Sequence, residues 1–136
     1  MTKAPSDAGV FFLLSEGVRQ EANGKLTLLG FYPDSLLIIP KEAKQEGKQI
    51  VMPLAMTFVV SEGEGTFPTS VSLTSPSGKA LFPDEKMPDS VKQPGQALSV
   101  LITVYPFITD EIGKFDITLR LGDSSYRRSF RIDVQP

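Results

Sequence analysis

The chain has 136 residues, 14 basic and 16 acidic, a net charge of −2, and neither cysteine nor histidine. That length suits one domain around one core, and a pI of about 5.1 supplies no field to draw in a nucleic-acid backbone. Without cysteine there are no disulfides, thiolate nucleophiles, sulfur-ligated zinc or iron–sulfur clusters, and without histidine the commonest general base and transition-metal ligand are missing.

Residues 1–7 carry one lysine, Pro5 and Asp7 and read as a flexible N-terminal segment, leaving a single domain over residues 8–136. The apolar run at residues 10–14 is too short for a secretory signal. No run approaches a membrane span, so a soluble cytoplasmic protein with no membrane partner is expected.

Residues 11–14 are continuously apolar, as in a strand buried on both faces. Asn23-Gly24 is the strongest short hairpin signal, and residues 25–32 read as the strand that returns to pair with residues 11–19. Between them stand Glu16, Arg19, Gln20 and Glu21. Charges beside a tight turn read first as a solvated hairpin end. The sharper readings are a cross-strand pair between Arg19 and a carboxylate, or a polar patch met by a partner; Gly17 would mark a bulge.

An apolar strand, an acidic residue, Val18-Arg19-Gln20-Glu21, a Gly-Lys turn and Leu26-Thr27-Leu28-Leu29-Gly30-Phe31-Tyr32 follow one another here. This opening resembles that of a bacterial family of small β-sandwich proteins classed as a domain of unknown function. The resemblance is strongest over residues 11–40 and weaker at the Gly113-Lys114-Phe115 hairpin. It implies a compact all-β sandwich and brings no catalytic residue with it.

Further along, residues 36–39 form a short apolar strand closed by Pro40, and residues 41–48 (KEAKQEGK) have helical propensity without an apolar face, enough for one solvated turn. Met52, Leu54, Met56, Phe58 and Val60 share one parity. Pro53 places this strand at an edge, on a bulge, or starting near Leu54, the last being preferred. Gly63-Glu64-Gly65 reads as a hairpin turn and lacks the helix that a phosphate-binding loop needs. Val71 and Leu73 alternate with polar residues up to the turn Ser75-Pro76-Ser77-Gly78, and residues 80–82 return. Residues 83–97, rich in proline and carboxylate, read as a crossover between sheets or a functional loop. Leu98, Val100, Ile102 and Val104 form a strand that Pro106 should end, and Phe115 to Leu121 and Phe130 to Val134 form a final hairpin around Gly122-Asp123-Ser124-Ser125.

The fold expected is therefore all-β, an antiparallel immunoglobulin-like β-sandwich of about eight or nine strands. The candidate chemistry is thin, and no enzyme is expected. Ser15, Ser61, Ser124 and Ser125 lack a histidine base for nucleophilic work. Arg120, Arg127 and Arg131 should project from the outer face of the last hairpin, where they either grip an anionic partner or pair with neighbours such as Asp116 and Asp133. Asp84, Glu85 and Asp89 with Asp110 and Glu111 form the alternative, a Ca2+-dependent ligand-binding sandwich, although no calcium-loop spacing is present. Phe31, Tyr32, Phe67, Tyr105 and Phe107 lie near strand ends and either cap the core or line a rim. The leading expectation is a non-enzymatic binding or assembly module with no cofactor, using a sheet edge, the arginine face or the end loops to meet a protein or peptide, a homodimer included.

Overall fold

The computed structural model describes residues 2–43 and 49–136, and among these the chain forms nine strands. They are β1 (Val10–Gln20), β2 (Leu26–Tyr32), β3 (Leu36–Ile39), β4 (Ile50–Val60), β5 (Gly65–Thr74), β6 (Ala80–Lys92), β7 (Leu98–Thr109), β8 (Gly113–Leu121) and β9 (Ser124–Val134). They build two sheets, ordered β2-β1-β4-β7 and β3-β9-β8-β5-β6, which pack face to face as a sandwich. Of the residues expected in a solvated turn, Lys41–Ala43 form a short 3-10 turn, and residues 44–48 lie outside the described residues.

The alternation read from the sequence is the reason this core closes. Leu14, Leu54, Met56 and Phe58 from the smaller sheet meet Leu73, Phe115, Ile117, Leu119, Phe130 and Ile132 from the larger one, all at or below 1% exposure. Each such side chain contributes about 1.5–3 kcal/mol on burial. Phe115 and Phe130, directly opposite in the β8–β9 pairing, stack with ring centroids 5.1 Å apart, and Phe107 meets both edge-on at 5.9 and 6.5 Å.

Four strand expectations are corrected, each for a reason set by the sheet. First, β3 runs parallel to β9 while every other named pairing is antiparallel; the chain leaves β2 through a turn closed by Ser35 N–H to Tyr32 O and enters the other sheet beside β9. Second, β4 starts at Ile50, well before Leu54, and lies between β1 and β7. Its register on β7 shifts between Met52 and Leu54, so Pro53 falls where the ladder is already broken. Third, β7 passes through Pro106 to Thr109, because Pro106 occupies the same irregularity on an edge strand. Fourth, residues 83–92 belong to β6 and only residues 93–97 cross between sheets. Since β6 is an edge, Pro83 and Pro88 cost it little, and its register on β5 shifts three times.

One connection also differs from expectation. Gly63-Glu64-Gly65 joins β4 to β5 and so passes from one sheet to the other, which a hairpin turn does not do. The N-terminal segment read as flexible is tied to that connection: Lys3 and Glu64 exchange both backbone hydrogen bonds, at 2.8 and 2.9 Å. The Tyr126 hydroxyl also donates to Pro5 O at 2.6 Å.

Candidate functional site

The last hairpin places its arginines by parity. Tyr126, Phe130 and Ile132 turn inward, while Arg127 and Arg131 stand on the outer face opposite Thr118 and Lys114 of β8; Arg120 joins them opposite Ser125. Ser125 and Arg131 are six residues apart in an extended strand, so the three guanidinium groups are strung along about 20 Å and do not converge on one anion. Arg120 Nε lies 3.7 Å from Asp84 and Arg131 pairs with Asp133 at 3.3 Å, both exposed, whereas Arg127 enters no ion pair with a described residue. Arg128 behaves differently. Its side chain is 20% exposed and donates to Asp7 Oδ1, Asp7 O and Val10 O at 2.8–2.9 Å, fastening the N-terminal segment to β9.

The carboxylates of the calcium alternative are kept apart. Asp84 faces Arg120 and accepts from the Ser70 hydroxyl at 3.2 Å, while its neighbour Glu85 pairs with buried Val71 and so stands on the opposite, inner side of β6. Asp89 is exposed further along β6, and Asp110 and Glu111 lie between β7 and β8. Glu111 accepts the Ser77 N–H at 2.8 Å, linking two turns. The Ser75 hydroxyl, and after it Ser77, hold its carboxyl below the usual range. Among the described residues no group of three or more acidic side chains is placed to hold a metal ion.

At the opening hairpin the charge cluster resolves into a local contact. Glu21 accepts from the Thr27 hydroxyl at 2.8 Å and from Arg19 Nε at 2.9 Å, which together hold its carboxyl below the usual range. Arg19 pairs along its own strand, and the cross-strand bond comes from Thr27, its register partner. Gly17 marks no bulge, since the register from Leu14 to Gln20 is continuous. The glycine with a structural reason is Gly30: its φ is +61°, and a Cβ there would approach Glu16 to 2.6 Å. The serines are held locally too, Ser15 Oγ donating to Gly17 O and Ser61 Oγ to Gly9 O.

The aromatics divide. Phe67 and Phe107 are buried and Tyr32 packs against the core, while Phe31 and Tyr105 face solvent. Phe31 belongs to a surface that pattern reading missed. On the outer face of the four-stranded sheet the register sets Phe31 beside Ser15 and Ala55, Leu29 beside Gly17, Leu13 beside Thr57 and Leu101, and Phe11 beside Val59. None of these is charged. Phe11, Leu29 and Phe31 remain 53, 55 and 47% exposed, and small Ser15, Ala55 and Thr57 between them are excluded from solvent. Thr57 Oγ1 is a buried side-chain oxygen with no hydrogen-bond partner among the described residues. The available signal was the pair of odd-parity apolar residues Phe11 and Leu13, consistent with a second apolar face, although Phe11 is half open.

Neither a family model nor a curated protein sequence matches the chain. Among solved structures, the chain is similar at TM-score 0.40 and 10% identity to a β-glucosidase from Listeria innocua in complex with glucose, over 91% of this chain and 16% of that one. A mutant of that β-glucosidase in complex with laminaribiose is similar at TM-score 0.37 and 10% identity, over 93% and 17%. The chain thus spans less than a fifth of those enzymes. No helix among the described residues is long and apolar enough to cross a membrane.

Proposed function

We propose that this immunoglobulin-like sandwich is a non-enzymatic binding and assembly module whose four-stranded sheet docks against that of a second copy. One observation carries the reading: the outer face of this sheet is apolar from Phe11 to Phe31 and Leu29, each about half exposed, and Arg19 stands at its hairpin end already paired with Glu21. A wet sheet face ordinarily alternates to polar residues, and a contiguous apolar patch marks an interaction surface. Two such faces meet over these apolar rows without burying a charge, Arg19 lying outside them at the hairpin end, and sheets stack well when small residues on one side receive large ones from the other. The arginine face supports the reading less, because two of its three guanidinium groups already have carboxylate neighbours.

Light scattering after size-exclusion chromatography, at low and high salt, tests this. The protein is expected to exceed monomer mass at both salts, and Leu29→Glu with Phe31→Glu is expected to weaken association by about 30-fold or more. A monomer at every concentration and salt refutes the assembly. A dimer that dissociates at high salt and ignores the double substitution assigns it to the arginine face instead.

A further inference from the structure

One open side of the sandwich lies between β6 and β7, edge strands of the two different sheets. Here the sheets leave a groove of about 560 Å³, walled by Phe82 and Met87 of β6 and by Ile102, Val104 and Tyr105 of β7. Phe82, Glu85 and Met87 pair with Leu73, Val71 and Thr69, all buried, so these three β6 residues stand on the side of the sheet that faces the core. Among the described residues Glu85 is the one charged group on the groove wall, and its carboxylate makes no ion pair or hydrogen bond with any of them.

The two edges are not equivalent. β6 carries Pro83 and Pro88 and three register shifts, the features that blunt an edge against pairing. β7 pairs with β4 from Leu98 to Val104 without a shift and has no proline before Pro106. Its outward backbone groups therefore form a regular, unpaired ladder beside an apolar groove. Main-chain bonds from such an edge give affinity to an added strand, and pockets for alternate side chains give selectivity.

We propose that this groove accepts an extended peptide segment of another protein, added as a strand along the outer edge of β7, with apolar side chains at alternate positions and one lysine or arginine facing Glu85. Charge complementarity selects that occupant. A second copy pairing through its own β7 would present residues 98–105, which contain no basic side chain, and would leave Glu85 without a counter-ion. A wholly apolar ligand would do the same, at the cost of crowding an unpaired carboxylate. The groove borders the apolar outer face at Leu101 and Thr103 of β7, but Leu29 and Phe31 stand on β2 at the opposite edge of the sheet, so the two proposals are tested by separate substitutions.

Fluorescence anisotropy with a labelled seven-residue peptide alternating threonine and valine, its central valine replaced by lysine, tests the assignment. The same peptide with glutamate at the centre is expected to bind about tenfold or more weakly, and Glu85→Lys to reverse that preference. The lysine peptide N-methylated at alternate backbone amides is expected to lose binding, because strand addition needs those donors. Glu85 is exposed, so the variant should keep the wild-type melting curve, and Leu29→Glu with Phe31→Glu should leave peptide binding unchanged. No saturable binding of the lysine peptide, equal affinity for the two peptides, indifference to N-methylation, or competition by self-association through β7 would each overturn the proposal.

Discussion

Arg127 and Arg128 are neighbours in β9 with the same charge, yet strand parity sends one to open solvent and the other under the N-terminal segment. Arg128→Ala removes charged donors from the carbonyls of Asp7 and Val10 and is expected to cost about 1.5–3 kcal/mol in urea unfolding. Arg127→Ala is expected to stay within about 0.5 kcal/mol of wild type. Equal losses would show that the latch holds nothing. Thr57 illustrates the reverse case, a hydroxyl out of water with no partner among the described residues. Thr57→Val should raise stability by about 1 kcal/mol, and a loss in the same unfolding assay would mean that the oxygen is satisfied. Both roles depend on distant segments, Arg128 on residues more than a hundred positions away, so neither could be read from local pattern.

Among the elements, the last hairpin was the most legible, because apolar and polar residues alternate cleanly in β8 and β9 and one face is buried. The prolines were the least legible. Pro53, Pro83, Pro88 and Pro106 all lie inside strands, tolerated at bulges or edges, and sequence does not say which strand will be an edge. The contact from Glu111 to the β5–β6 turn is an element-scale tie with a pH signature. A carboxyl depressed in the native state contributes stability at neutral pH that is lost as the pH falls through its native value. Glu111→Gln should therefore be less stable than wild type near neutrality, and the two should converge in acid. Urea midpoints between about pH 7 and about pH 2 check this, and a gap that widens on acidification contradicts it.

For the molecule as a whole, two sheets of different size leave four edges, β2 and β7 on one sheet and β3 and β6 on the other. Strands paired on both sides should protect their amides best. Native-state hydrogen exchange is expected to be slowest in β1, β4, β5, β8 and β9 and faster in β6 and β7, where the sandwich opens. Uniform protection across β4 and β7 would argue that the β7 edge is covered in solution, by a second copy or another partner, and would locate the interface there.

The sequence by itself determined the all-β class, nearly every strand and the inward set of β8 and β9, since period-two alternation is a local consequence of pleating. It also removed cysteine and histidine chemistry outright. Tertiary structure alone decided that β3 lies parallel to β9, that residues 83–92 form an edge strand, and that Glu85 faces a groove while Asp84 faces Arg120. Those outcomes depend on which strands become neighbours. That choice is made by burial of the shared core across long sequence separations, and no short stretch of the chain encodes it.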